Sequence, residues 1–347
     1  MTHEQARHIV EHTLMESIFA LYQLHGCSWE AVTAHEGGRN IVYRICGAEP
    51  RILRMTYLPD RSLHDLLAET EFVRYLKQHG AAVADALPSI RGNLVERLKA
   101  EGHTFCISLF EHAPGDLLSD HGYQYREGVP LSEYFFNCGK TLGQLHRLAK
   151  AYQPKHQRYD FFDMYNSTAI DRLVPAAMPE LRNACLTLLA ALAQLPRTPD
   201  CYGIVHFDYS DGNYHIDYGT GAITVFDFDN CCTCWYLYDL ANLWLHGTGW
   251  VQWEPDTCNR RAFMEQYFAT VMAGYCTETD PPPDMMIQLP LMMQAVLMEN
   301  ILDEFSCDEP EIEGEMRWRI WCLEESIPFF GFFHERYNAA SPMTLDP

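Results

Sequence analysis

A polar loop separates two apolar stretches in the second half of the chain. The eight residues HFDYSDGN, from His206 to Asn213, lie between CYGIV and YHIDYGTGAITVFDFD. His206, Asp208 and Asn213 follow the spacing H-x-D-x-x-x-x-N, and Asp227 comes fourteen residues after Asn213. Because the turn at YGTGA folds the chain back on itself, two aspartates and an asparagine can converge on one point.

These residue types suit phosphoryl transfer, in which the protein contributes mainly positioning and charge. Asp208 can orient an attacking hydroxyl and accept its proton. The side-chain oxygens of Asn213 and Asp227 can hold Mg²⁺ on the phosphates of a nucleotide. The pattern therefore predicts a phosphoryl-transfer site that uses a nucleotide and Mg²⁺.

The elements that must position this loop divide into two groups. Before it, a helical pattern over residues 4–24 and a β-β-β-α-β-β-β order predict a small lobe with an antiparallel sheet. After Pro114 and Gly115 helical spacing dominates, over residues 131–152, 178–195, 235–247, 258–275, 286–305 and 313–336. We expect an α+β, bilobal protein with a β-rich nucleotide-binding lobe and leading helix over 1–110, a hinge over 111–119 and a helical catalytic and acceptor-binding lobe over 120–347.

A known family has a similar arrangement of motifs. HFDYSDGNYHID, followed by ITVFDFDN and YDLANL, resembles the catalytic core of the aminoglycoside phosphotransferase and choline kinase superfamily, the protein-kinase-like small-molecule kinases. The resemblance implies the bilobal protein-kinase-like fold, with Asp208 as the catalytic aspartate and Asn213 and Asp227 as metal ligands. It also implies an ATP- or GTP-dependent O-phosphotransferase that uses Mg²⁺ and acts on a small hydroxyl-bearing molecule.

The same resemblance implies supporting roles near the loop. His206 would brace the loop and Asp239 would pin it, whereas the roles of Asp211 and Asp229 stay open. Phe207 departs from the family pattern, because a glycine is usual at that position.

The resemblance also implies where the small lobe binds nucleotide. EGGRNIVYRI, with Gly37 and Gly38, lies where these kinases have the hairpin that covers the phosphates. Backbone groups near Leu109 to Glu111 would receive the adenine.

A phosphate-binding lysine is expected in the next strand, but RILRM has Arg54 there. Arginine also supplies a fixed cation, with a different donor geometry. Its partner on the following helix would be Glu69, with Glu71 as the competitor. An ordinary surface ion pair is the alternative for Arg54 and Glu69.

The charge balance bears on the partners. With 25 Lys and Arg against 47 Asp and Glu, the net charge is -22, which disfavours nucleic acid and anionic membranes and favours cationic partners. Glu299, Asp303 and Glu304 could attract the amine of an aminoglycoside, choline or an amino alcohol. They could equally only solvate a helix.

The cysteines and the N-terminus predict a compartment. Thirteen cysteines without a secretory apolar segment in MTHEQARHIVEHTL favour a cytoplasmic protein with free thiols. CCTC, at Cys231–Cys234, has no second pair at zinc spacing, so buried thiols are the better interpretation. GKT at residues 139–141 lacks the earlier glycine of a phosphate-binding loop.

Other functions stay open at this point. A catalytically silent nucleotide-binding module with the same fold is one, and a kinase for homoserine-like or sugar metabolites is another. A protein kinase is disfavoured, because only eleven residues separate Asp227 from Asp239 and leave no room for a long activation loop.

Overall fold

The computed structural model of the protein describes residues 1–32, 40–57, 61–307, 310 and 312–337. Gly37 and Gly38, predicted to cover the nucleotide, lie outside these residues. The elements of the first third of the chain are α1 His3–Ile9, α2 Met15–Leu21, β1 Ser28–Ala31, β2 Asn40–Cys46, β3 Arg51–Thr56, α3 Leu63–Gln78, β4 Ala86–Leu87, β5 Glu96–Ala100 and β6 His103–Glu111. A π-helical turn joins α1 to α2, so the predicted leading helix is interrupted.

The six strands form one sheet in the order β1-β2-β3-β6-β4, with β5 also paired to β6. All of its pairings are antiparallel. Arg54 lies on the central strand β3, opposite Val42 of β2 and Ser108 of β6. The sheet therefore fixes the backbone at Arg54 from both sides.

The first third of the chain contributes side chains to two separate apolar cores. The leading helices pack on the sheet through residues such as Ile18, Tyr43 and Leu53. Helix α3 instead buries Phe72 and Leu76 in the large core that it shares with the second part of the chain. Helix α3 thus connects the first part of the chain to the large core.

The second part of the chain is mainly helical. Its elements are α4 Leu131–Ala151, α5 Phe161–Met164, α6 Ser167–Leu173, α7 Pro179–Leu192, β7 Tyr202–Val205, β8 Tyr214–Ile216, β9 Ile223–Val225, β10 Cys232–Trp235, α8 Tyr236–Thr248, α9 Thr257–Tyr275, α10 Pro283–Met286, α11 Leu289–Glu304 and α12 Glu315–Glu324. Strands β8 and β9 form a hairpin, and β7 pairs with β10. The α+β class with an antiparallel sheet is confirmed, whereas the residue limits of the lobes stay a prediction.

One predicted helix was wrong in extent. The periodic region 313–336 contains α12 only as far as Glu324, followed by a 3-10 turn at Phe329–Gly331. Ser326 adopts φ +54 and Pro328 follows it. A left-handed residue followed by a proline, which has no N–H to donate, ends the helix although the aromatic spacing continues.

Helices α4 and α9 approach backbone to backbone. A Cβ at Gly139 would overlap the carbonyl group of Val271, and one at Gly274 would overlap that of Phe136. A glycine inside a helix costs about 1 kcal/mol relative to alanine, so the close approach accounts for these two. The contact holds α4 against the body of the large core.

Gly139→Ala is expected to lower the free energy of unfolding by about 2 kcal/mol, because the added methyl must displace the α9 backbone. Gly249→Ala is the matched control, since its Cβ would meet only the His246 carbonyl oxygen at 3.4 Å. Urea unfolding of both variants measures the difference. Equal stability of the two variants would contradict the close approach of α4 and α9.

Candidate active site

The start of the polar loop is held by one buried carboxylate. Asp239, on α8, accepts hydrogen bonds from the backbone N–H of His206 and of Phe207, both at 2.8 Å. The His146 imidazole lies 3.1 Å from the same carboxylate, and the Asn242 amide donates to the Phe207 carbonyl oxygen at 2.9 Å. Asp239 is fully buried. Asp239 was predicted to pin the loop, and these contacts are the ones that such a role requires.

Phe207 has an unusual backbone conformation. Its φ is +73, in the left-handed region that favours glycine. This explains why a glycine would suit the position. Here the ring of Phe207 stacks on Tyr238, with centroids 4.2 Å apart and planes 4° from parallel. The hydrogen bonds to Asp239 and Asn242, together with this stacking, hold the strained conformation.

The loop presents Asp208 outward and turns Asn213 toward the following hairpin. The Asp208 side chain is exposed. The Asn213 amide donates to the Asp208 backbone carbonyl oxygen at 2.8 Å, which leaves the Asn213 side-chain oxygen available to a ligand. The Phe226 N–H donates to the Asn213 backbone carbonyl oxygen at 2.9 Å. Asn213 is therefore fixed beside the residue that precedes Asp227.

His206 lies under the loop. Its Nε2 is 3.0 Å from the Phe226 carbonyl oxygen, and its ring contacts Tyr209 and Phe228. The side chain is buried. It thus connects the loop to the segment of Asp227, which is the geometry expected of the bracing role.

Asp227 comes two residues after the end of β9. Solvent reaches its side chain, although protein surrounds it closely. Its pKa is raised, chiefly because burial penalises the charged form; Asp229 raises it further, and Arg54 opposes the shift. Its φ is +59, in the left-handed region that favours glycine. A carboxylate in this environment is stabilised by a cation.

Arg54 and Glu69 form a buried, two-pronged ion pair. The two guanidinium nitrogens donate to the two Glu69 oxygens at 2.8 and 2.6 Å. Burial would lower the pKa of Arg54, but the carboxylates of Glu69, Asp229 and Asp227 more than offset it and the pKa is raised. The alternative of a surface ion pair is excluded. Glu71, the competitor, instead contacts His156 at 2.8 Å.

Some backbone groups of the segment predicted to contact adenine already form hydrogen bonds within the protein. Leu109 pairs with Leu53 of β3 and Leu87 of β4. The Glu111 N–H donates to the Asp85 carbonyl oxygen at 2.9 Å. A base contact from this segment stays a prediction, and it must use atoms other than the Glu111 amide hydrogen.

The three residues predicted to bind the acceptor do not all lie on one face of α11. Glu299 and Asp303 lie one turn apart on α11, whereas Glu304 lies on another face and has a partner of its own. Burial raises the pKa of Glu299 to about 7; the hydrogen bond from Asn300 lowers it, and the carboxylates of Asp303 and Asp208 raise it. Glu299 therefore lies near the catalytic loop, as the acceptor interpretation requires.

Sequence reasoning missed an α8 residue. His246 follows Asp239 and Asn242 at helical spacing, so it shares the face that touches the loop. Burial lowers the pKa of His246, and the carboxylates of Asp211 and Asp208 oppose that shift. The spacing of seven residues from Asp239, in YDLANLWLH, was the signal that could have found it.

Tyrosines on the acceptor side were also missed. Tyr165 and Tyr238 both lie near the Glu299 carboxylate, which raises the pKa of each in addition to their burial. The Tyr238 hydroxyl is buried and makes no hydrogen bond among the residues the structure describes. Aromatic rings and carboxylates thus surround one region beside Asp208.

Comparison with known proteins identifies the family. A family model described as "Phosphotransferase enzyme family" (APH) matches residues 31–282. The chain belongs to this family. The prediction of a small-molecule kinase is thereby confirmed at the level of the family.

Similar proteins support the phosphotransferase fold. An amicoumacin kinase of Bacillus subtilis (strain 168) is 28% identical over 287 residues, which cover 81% of this chain and 82% of that protein. A solved amicoumacin kinase, in complex with AMP-PNP, Ca2+ and Ami, has a TM-score of 0.78 at 23% identity, covering 94% of this chain and 97% of that one. A microcompartment-associated aminopropanol kinase has a TM-score of 0.67 at 18% identity, covering 96% and 99%. The predicted protein-kinase-like fold is confirmed.

Cysteines take no part in a metal centre in the described portion of the phosphotransferase. All thirteen are free thiols, and Cys231, Cys232 and Cys234 are buried. Within that portion no three or more His, Cys, Asp or Glu side chains cluster as a metal site would require. Nor does any described helix have the length and apolarity to cross a membrane.

Glu69→Gln is expected to lower the free energy of unfolding by about 3 kcal/mol, because it leaves the buried Arg54 guanidinium without its counter-charge. Glu71→Gln, two residues along the same helix, should cost less than about 1 kcal/mol, since its partners are partly exposed. Chemical denaturation of both variants provides the comparison. A cost for Glu71→Gln as large as that for Glu69→Gln would refute the assignment of the pair.

Proposed function

We propose that this phosphotransferase moves the terminal phosphoryl group of ATP or GTP to a hydroxyl of a small, amine-bearing molecule. The arrangement around Asp208 supports this most directly. Its loop is pinned by Asp239, and a pair of potential metal ligands, Asn213 and Asp227, follows on the facing hairpin.

The residues present suit a magnesium ion. The Asn213 side-chain oxygen and the Asp227 carboxylate would hold the ion, because Mg²⁺ prefers hard oxygen donors. When bound, the metal would neutralise charge on the nucleotide phosphates. Arg54, held by Glu69, adds a fixed positive charge close to Asp227.

Asp208 would act on the acceptor. The acceptor hydroxyl oxygen forms a bond to the terminal phosphorus while the bond from that phosphorus to the bridging oxygen breaks, and the hydroxyl proton passes to the Asp208 carboxylate. Exposure of Asp208 toward the cleft allows an acceptor to reach it. His206 and Asp239 keep the carboxylate oriented through the loop backbone.

A positively charged acceptor fits the acidic side of the cleft. Glu299, Asp303 and Asp208 lie near one another, and Tyr165 borders them. Carboxylates beside aromatic rings bind ammonium groups through charge and through the ring faces. The similar Bacillus subtilis protein is an amicoumacin kinase, so amicoumacin-like compounds are the first acceptors to test.

A phosphorylation screen tests this function. Amicoumacin, aminoglycosides, amino alcohols such as aminopropanol, choline, homoserine and sugars would each be incubated with Mg²⁺ and either ATP or GTP. Transfer to an amine-bearing acceptor supports the proposal. Nucleotide binding without transfer to any of them, or to a component of a cell extract, would favour the silent binding module.

Asp208→Ala is expected to slow transfer by about 10²- to 10⁴-fold, the contribution of a positioned proton acceptor, with nucleotide affinity little changed. Asp227→Ala should instead abolish metal-dependent nucleotide binding. Turnover and equilibrium binding of the two variants separate these roles. The reverse pattern would show that the two aspartates have exchanged roles.

The KM for an amine acceptor is expected to rise as the pH falls through about 7, because Glu299, with its pKa raised to about 7, then loses its charge. Glu299→Gln should remove this pH dependence and raise the KM at pH 8. It should also raise the melting temperature at pH 8, since a raised folded-state pKa makes the ionised carboxylate destabilising above it.

Glu304→Gln, on the same helix but another face, is the matched control for the pH profile. It should leave both the KM at pH 8 and its pH dependence as in the unmodified protein. A Glu299→Gln enzyme with an unchanged profile would rule out a role of Glu299 in acceptor binding.

A further inference from the structure

One buried arginine connects the two lobes behind the cleft. Arg158 lies between α4 and α5, and only 4% of its surface is exposed. Its guanidinium donates to the carbonyl oxygens of Asp65 at 2.8 Å and Cys231 at 2.5 Å, and also to that of Asp229. Its flat face lies 4.3 Å from the centroid of the Tyr159 ring. Each of the three guanidinium nitrogens thus donates to a backbone carbonyl oxygen, and Nη2 also donates to the Tyr159 hydroxyl at 3.1 Å.

The two backbones held by Arg158 carry the two halves of the proposed nucleotide site. Asp65 lies one turn before Glu69 on α3, and Glu69 holds Arg54. Asp229 lies two residues after Asp227. One guanidinium thus connects the backbone that carries Glu69 to the backbone that carries Asp227.

The side chain of Asp229 makes a second connection across the cleft. It accepts a hydrogen bond from the Asn40 amide at 3.3 Å and lies 4.0 Å from the Arg61 guanidinium. The Thr56 hydroxyl donates to Asn40 at 2.6 Å, and Thr56 lies two residues from Arg54 on β3. Asp229 is therefore engaged with the small lobe through its side chain and with Arg158 through its carbonyl oxygen.

A lysine could not make the contacts of Arg158. An ammonium group on a flexible stem has no planar fork, whereas three carbonyl oxygens in different directions require one. Burying a charge is also costly unless the surroundings satisfy it. The pKa of Arg158 is nevertheless raised: burial lowers it, and the charges near it, those of Glu69 and Asp229 included, prevail.

We infer that Arg158 and Asp229 form an interlobe clasp whose task is to position the Arg54–Glu69 pair relative to Asp227 for phosphoryl transfer. Both are positioning residues, since they act through other groups. The inference rests on the function proposed above. It assigns Asp229 to the clasp, because its side chain is already bound to the small lobe.

Arg158→Lys is the first test, and Arg260→Lys is its matched control. Arg260 is as deeply buried, with 1% exposed, and likewise donates to backbone carbonyl oxygens, those of Phe332 at 3.1 Å and Glu254 at 2.8 Å. It contacts none of the predicted catalytic, metal or nucleotide residues. Both substitutions should lower the melting temperature, which measures the structural cost that they share.

Only Arg158→Lys should change how turnover depends on the concentrations of Mg²⁺ and nucleotide. The Mg²⁺ concentration for half-maximal turnover and the KM for nucleotide are expected to rise about 10-fold, the effect of removing a group that orients a metal ligand. The same variant should show a smaller rise in melting temperature on adding nucleotide and Mg²⁺. Arg260→Lys should match the unmodified enzyme in all three.

Equal Mg²⁺ and nucleotide dependence in the two variants would overturn the clasp. If Arg158→Lys does not fold, Asn40→Ala decides instead: it removes the amide bound to Asp229 and should raise the Mg²⁺ requirement, while an unchanged requirement would overturn the inference. Failure of the unmodified protein to bind nucleotide would count against the proposed function. An active enzyme whose variants keep the unmodified Mg²⁺ requirement and KM for nucleotide would count against the clasp alone.

Discussion

The hydrogen bonds from two consecutive backbone N–H groups to the buried carboxylate of Asp239 are the constraint on which the site depends. A buried carboxylate must have its oxygens satisfied, and those two amides do so only if the loop turns at Phe207. That turn requires a left-handed residue, which Phe207 supplies at a conformational cost of about 1 to 2 kcal/mol. Once the turn is fixed, Asp208 faces the cleft and Asn213 reaches the following hairpin.

The nucleotide side is stabilised by a different kind of interaction. Arg54 and Glu69 are both buried, and neither would be tolerated there without the other. The pair ties the sheet to α3, and α3 packs on the large core through Phe72. The ion pair thus holds Arg54 on α3, and apolar packing holds α3 on the large core. Arg158 and Asp229 add a second connection between the two lobes.

Much of the fold and part of the site could be predicted, for identifiable reasons. Strand and helix periods are local, so the antiparallel sheet and most helices followed from spacing. The spacing from His206 to Asn213, with Asp227 beyond, is also local. The helix predicted over 313–336 was too long, because Ser326 and Pro328 end α12 while the aromatic residues continue the pattern.

The residues that bring distant segments together could not be predicted. Arg158 contacts Asp65 and Cys231, which are far from it along the chain, and no period in the sequence marks such a contact. The sequence left open whether Glu299 attracts an amine or only solvates a helix, and it gave no sign of the burial that raises the pKa of Glu299 to about 7. Glu69 was predicted rather than Glu71 as the partner of Arg54, and the face of α3 that meets β3 carries Glu69.

The sequence by itself determined the residue types, the spacing of the catalytic loop and the order of elements, because these depend on neighbours along the chain. The tertiary structure alone decided that the Arg54–Glu69 pair is buried, why Phe207 can replace a glycine, and which groups link the lobes. Each of those depends on burial and on directed hydrogen bonds between segments, which only the packed chain sets.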